Sequence, residues 1–191
     1  ANYAPLHLFL HALFWQLFRA DPFGHQLPNV LLHALASTLL VALFARAGVP
    51  FVAAALGGAL FLLHRANVEA VAWVFQLKTI VALALASGAL LLEPRRPIAA
   101  TAVFALALLA KIQAAVAIPV LGVALWAGAP VGTHSRRARV AMLGVWVAIL
   151  ALALLPELVA FERLGHAEPA APLAPVDRAR ASLAFVGRYL V

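Results

Sequence analysis

The sequence predicts an all-α, multipass membrane protein of about six spans with an N-terminal interfacial amphipathic helix. Three observations carry this. Of 191 residues, 65% are hydrophobic and 11% charged, with a mean hydropathy of +1.00, whereas soluble domains are nearer half apolar and a quarter charged. Apolar runs recur along the chain, separated by breaks that hold Pro, Gly and Arg. Arginines gather in alternate breaks, as positive-inside topology requires. The net charge of +7 is thus a topology signal and predicts no nucleic-acid partner. Cysteine is absent, which excludes disulfides, thiolate metal sites and cysteine nucleophiles.

Tyr3–Arg19 places His7 and His11 on one face and Leu6, Leu10, Leu13, Phe14 and Leu17 around the rest. That predicts a helix in the interface, with Tyr3 and Trp15 as headgroup-level anchors. Asp21-Pro22-Phe23-Gly24-His25 predicts a turn, because Pro and Gly both interrupt helices. Spans follow at about Pro28–Phe44, Phe51–Leu63 and Val71–Leu92. The second carries Ala54 and Gly58, a small-residue spacing that permits close helix approach. Ile98–Ala110 and Ala114–Trp126 are short for spans, against the roughly 17–25 residues usually needed. Gly128–Arg139 reads as a loop, Val140–Leu155 as a long span, and Pro156 as the start of a polar loop.

Threading these runs puts Arg46, Arg95, Arg96, Arg136, Arg137 and Arg139 on one side, read as cytoplasmic. His25, the His64–Glu69 stretch and Lys111 fall on the other. The chain starts with alanine, and Ala181–Val191 opens another apolar segment. The organisation predicted is one transmembrane domain, 1–191, cut from a larger protein. It comprises an outer juxtamembrane segment (1–26), six spans (27–156), an outer loop (157–180) and the start of a further segment (181–191).

Ionisable groups at membrane depth cost roughly 2.5–3.5 kcal/mol each on insertion scales, so the polar stretch His64–Lys78 requires a reason. Glu69, Trp73 and Gln76 share one face if the stretch is a continuous helix. Lys78 then lies about two turns inside it, where an ammonium serves as a point charge for phosphate. The plainer alternative is a helix entering from the interface, with Glu69 at its positive end and Lys78 snorkelling. Lys111 and Gln113, between the two short runs, suit an anionic headgroup or a surface loop equally. His25, Asn29 and His33 are spaced by four, yet a metal site needs more donors and outer-shell support. They, like His7 and His11, are read as interfacial groups bonded to backbone or lipid, and no metal site is predicted. The loop arginines are read as topology determinants.

Three ordered segments carry a resemblance. Tyr3-Ala4-Pro5-Leu6 with Asp21–His25 and Asn29–His33, then His64 through Val68–Trp73 to Lys78, then Leu108–Lys111 with Pro119, together resemble bacterial membrane proteins related to the transmembrane-and-TPR O-mannosyltransferases. That family belongs to the C-type glycosyltransferases, multipass enzymes that transfer a sugar from a polyprenyl-phosphate carrier on the outer face. The resemblance implies a bacterial inner-membrane protein whose partners are membrane lipid, a polyprenyl-phosphate sugar and other membrane proteins. The lipid-linked sugar is a substrate, and no cofactor is implied.

It implies that His64, Lys78 and Lys111 bind the donor phosphate and that Glu69 supports catalysis. The cavity would be lined by His25, Asn29, Asn67, Trp73, Gln76 and Gln113. Developing charge on the leaving phosphate would be stabilised by such cationic and hydrogen-bonding groups. The family's catalytic acid lies upstream of the position matching Tyr3. Ala4 replaces a usual arginine, and Arg65 and Ile112 replace usual prolines. The alternative is therefore a degenerate, non-catalytic relative that serves as a structural subunit of a membrane complex.

Overall fold

The computed structural model describes residues 4–127 and 135–164, and its regular structure there is entirely helical. In order it contains α1 (Pro5–Phe18), α2 (Pro22–Arg46), α3 (Phe51–Leu63), α4 (Val68–Ala72), α5 (Leu77–Leu92), α6 (Pro97–Ala110), α7 (Ala117–Trp126) and α8 (Arg136–Leu164). Tight 3-10 turns at Arg65–Asn67, Val74–Gln76 and Ile112–Val116 join α3 to α4, α4 to α5 and α6 to α7.

Three helical stretches are long and apolar enough to cross a membrane: Pro22–Arg46, Val74–Leu92 and Arg136–Pro156. Phe51–Leu63 with Arg65–Ala72, bent by 48°, makes a fourth if the pair counts as one span. Pro97–Ala110 and Ile112–Trp126 are apolar but shorter. Among the described residues three or four stretches, not six, thus meet the length of a span.

Asp21 does not sit in a free turn. It is the N-cap of α2, accepting hydrogen bonds from the backbone N–H of Phe23 and Gly24, both at 3.1 Å. Pro22 occupies the first helical position, where its missing N–H costs nothing. The helix therefore begins six residues before the predicted Pro28, which lies inside it.

The expected continuous helix from Val71 is also corrected. The chain is extended at Trp73 (φ −85°, ψ 113°), and α5 starts only at Leu77. The cause is tertiary. Asn29, fully buried on α2, donates its side-chain amide to the carbonyls of Val71 (3.2 Å) and Trp73 (3.1 Å). Satisfied from outside, those carbonyls do not need the bonds that would carry a helix through this point.

Pro156 closes the apolar span, as expected, but does not end the helix, because α8 runs on to Leu164. A proline inside a helix loses one backbone bond and strains the preceding turn, and here the helix absorbs the loss. Arg136, Arg137 and Arg139, placed in a loop by the sequence, form the first turn of α8.

The interior is built on α5 and α6. Leu77, Val81, Ala86, Ala100, Phe104 and Leu108 are buried there, with Trp146 of α8 against them. The rings of Phe104 and Trp146 stack at 4.2 Å and 6°, and the Trp146 indole donates to Thr101 at 3.0 Å. That bond meets the need of a buried indole N–H.

The predicted small-residue contact is present. Ala54 and Gly58 are buried, and a Cβ on Gly58 would collide with the Val41 side chain and lie 3.4 Å from the Ser37 carbonyl. Leu31, Phe51, Leu60 and Leu152 stand exposed on the outside, which suits a hydrocarbon solvent.

The amphipathic sense of α1 is the reverse of an interfacial helix on a soluble core. His7 is buried, while Leu8, Phe9, Leu13, Trp15 and Leu17 are exposed. The histidine face turns inward because it meets Phe75, next to the break before α5. Trp15 is exposed as an anchor would be, and Tyr3 lies outside the described residues.

Hydrogen bonds define two ends. At one, Arg46 donates to the carbonyls of Leu90 and Leu91, and Arg139 pairs with Glu93. At the other, Asn29 meets Trp73, His33 meets the Leu62 carbonyl, and Lys111 meets Thr79.

Candidate functional site

Two of the three proposed phosphate ligands come together at the second end. Lys78 occupies the second position of α5, in its first turn and not two turns inside a helix. Lys111 sits in extended backbone (φ −163°, ψ 132°) between α6 and the turn before α7. Lys111 reaches Thr79, the residue after Lys78, and Lys78 shares the Phe75 ring with His7 and His11, so the four groups form one neighbourhood.

The lysines are held differently. The Lys111 ammonium donates to Thr79 Oγ1 at 2.8 Å, and the Thr79 hydroxyl donates onward to Gln76 Oε1 at 2.8 Å. This relay orients Lys111 through neutral partners and so leaves its charge in place. The Lys78 ammonium lies 4.3 Å from the centroid of the Phe75 ring, a cation–π contact of modest strength. Phe75 in turn receives His7 edge-on at 5.0 Å and stacks on His11 at 6.2 Å.

No carboxylate neutralises either lysine among the described residues, where the ion pairs all converge on Glu93 at the opposite end. Lys78 is also badly placed for a cation, because the N-terminus of a helix carries partial positive charge. No side chain caps α5 there. Two ammonium groups beside a helix N-terminus form an electropositive spot that favours an anion.

His7 and His11 are not extra cations near neutral pH. Burial, with repulsion from His11 and Lys78, lowers the His7 imidazole from 6.5 to about 4. Burial, with His25 and Lys78 adding to it, lowers His11 as well. Neither ring nitrogen of His7 has a hydrogen-bond partner among the described residues. These are neutral, polar walls.

The remaining sequence candidates spread around this spot. Glu69 is exposed in the first turn of α4, without a side-chain partner among the described residues. The extended residue at Trp73 breaks the helix that would have aligned Glu69, Trp73 and Gln76. Gln76 joins the lysine relay, whereas Trp73 and Gln113 face outward. His64 is exposed and caps the turn at Ala66 through Nδ1 at 3.1 Å. It lines a separate cavity of about 550 Å³ with Gln26, His33, Asn67 and Val71.

Asn67 donates to the Phe61 carbonyl, and Asn29 clamps the α4–α5 break. His25, hydrogen-bonded to the Arg19 carbonyl at 2.8 Å, lines another hollow of about 450 Å³ with His11 and Trp15. Neither of these two hollows is lined by Glu69, Lys78 or Lys111. His25 and His33 bond backbone carbonyls, as interfacial histidines do. No group of three or more His, Asp or Glu side chains is placed to hold a metal ion among the described residues.

Sequence reasoning missed Thr79 and Phe75, which position the two lysines. Thr79 follows Lys78 directly, and a hydroxyl beside a buried-end lysine was the available signal. It also missed Glu93. A lone acid on the side of three arginine-bearing segments was the signal there.

No family model matches the chain, and no curated protein or solved structure matches it.

Proposed function

We propose that the chain is part of a bacterial inner-membrane glycosyltransferase that uses a polyprenyl-phosphate sugar, with the donor phosphate held by Lys78 and Lys111 on the outer face. In this reading α2, α3, α5, α6, α7 and α8 each cross the membrane, the shorter ones through a thinned bilayer. The observation that carries it is the pair of ammonium groups drawn together with no acid to cancel them among the described residues. Such an arrangement is costly unless an anion is present for part of the working cycle. Thr79 and Gln76 fix one ammonium while Phe75 supports the other, so the pair is organised before an anion arrives.

Photo-crosslinking in membranes tests it. A photoreactive polyprenyl phosphate is expected to label α5 and the Lys111 segment, with polyprenol lacking phosphate labelling at least tenfold less. Lys78→Met and Lys111→Met should each lower the labelling. Equal labelling by the alcohol and the phosphate overturns the reading.

The exposure of Glu69, which pairs with neither lysine, favours the alternative of a non-catalytic subunit that binds the carrier without reacting. Glu69→Gln separates the two. Loss of sugar transfer in the assembled membrane supports the enzyme, and unchanged transfer supports the subunit.

A further inference from the structure

The opposite end of the bundle holds a second arrangement, independent of the glycosyltransferase reading. α2 and α7 both pack against α5, and a cavity of about 480 Å³ opens between them. Its walls are hydrocarbon, including Leu40, Leu43, Leu83, Val120 and Leu121, and its polar end is Arg46, Glu93 and Arg139. The volume is within the range of ligand pockets, about 300–1,000 Å³.

The charges at that end do not balance. Both oxygens of Glu93 are taken by Arg139, at 2.6 and 3.1 Å. Arg46 stands 4.0 Å from the same carboxylate and spends Nη1 on the carbonyls of Leu90 and Leu91. One carboxylate thus faces two guanidinia. Arg95, two residues after Glu93, has no ion-pair partner among the described residues. A net positive polar end on an apolar slot is complementary to an anionic amphiphile. Arginine presents a planar fork suited to phosphate, and basic pockets between membrane helices on the cytoplasmic side are suited to anionic headgroups.

We infer that this cavity is a binding site for an anionic phospholipid of the arginine-side leaflet, with an acyl chain between α2, α5 and α7 and the phosphate on Arg46. The arginines here do more than fix topology. The lipid's hydrocarbon replaces empty volume, and its phosphate supplies the missing negative charge.

Native mass spectrometry of the full chain in mild detergent tests the site, with phosphatidylglycerol and phosphatidylcholine of identical acyl chains as probes. The first phosphatidylglycerol is expected to be retained at least tenfold more tightly than phosphatidylcholine. Arg46→Gln should erase that preference. Arg46 also holds the end of α5, so a second variant guards against misfolding: Ala124→Trp fills the cavity from α7 and should lower retention of both lipids while helicity is unchanged. Equal retention of the two lipids by the wild-type chain overturns the site, as does undiminished binding in a folded Ala124→Trp. Equally tight binding of glycerol 3-phosphate, which has no acyl chain, overturns the placement of hydrocarbon in the slot.

Discussion

Glu93→Gln is the most informative single change to the folded state. Glu93 is 1% exposed and Arg139 7%, and their side chains meet through two charge-assisted hydrogen bonds at 2.6 and 3.1 Å. Glutamine keeps an oxygen for one of these bonds but removes the charge. Arg139 is then a buried cation with no counter-charge, beside Arg46. Removing one partner of a buried pair typically costs about 3–5 kcal/mol. Arg46 adds little to this figure, because at 4.0 Å and 26% exposed its attraction is screened by solvent.

The expected loss is therefore about 3 kcal/mol, at the lower end because glutamine can still accept one bond. Reversible unfolding in mixed micelles by SDS titration reads it directly. The double variant Glu93→Leu/Arg139→Met should recover most of the loss, since a pair replaced by apolar groups is often neutral. A cost for Glu93→Gln below about 1 kcal/mol, in the range of exposed pairs, would refute the burial argument. So would strict additivity in the double variant.

Three further outcomes follow from local geometry. Gly58→Ala should destabilise by about 1–3 kcal/mol through overpacking against Val41, whereas Gly88→Ala, with open space around its Cβ, should gain about 0.5–1 kcal/mol; the same titration compares them. Asn29→Leu should cost about 1–3 kcal/mol for the carbonyls it strands and raise hydrogen exchange at the α4–α5 junction, so unchanged exchange there counts against the clamp. Because His7 is held well below its unfolded value, the unfolded chain takes up a proton first as pH falls. The His7 contribution should be complete above about 6.5, decline down to about 4 and be flat below that. His7→Phe should flatten the profile across that window, and an unaltered profile would show that His7 is not its source.

What could be read from the chain alone depends on how local the cause is. Phe51–Leu63 was legible to the residue, because Pro50 and His64 bound an unbroken apolar run. The Gly58 contact was legible from spacing alone. The start of α5 was not, since the amide that interrupts the helix comes from Asn29, more than forty residues upstream. Pro156 misled for the opposite reason: the residue signals a stop, but α8 continues through it.

At the candidate site the lysines were recognisable as isolated cations in apolar sequence. Their supports, Thr79 and Phe75, look like ordinary span residues until the fold places them. The convergence of Arg46 and Arg139 on Glu93 was hidden because each arginine has a sufficient explanation as a topology marker.

The helices differ widely in reach. At 1.5 Å per residue, the 13 residues of α3 extend roughly 20 Å and the 29 of α8 roughly 43 Å, against a hydrocarbon layer of about 30 Å. No single slab of lipid matches both. On the six-span reading proposed above, the surrounding bilayer must pinch beside the short members while the longest leans or protrudes. On that same reading, pinching carries the headgroup plane inward alongside α3, α6 and α7, and Lys111, at the joint between α6 and α7, would meet phosphate at a depth where flat lipid would offer only alkane.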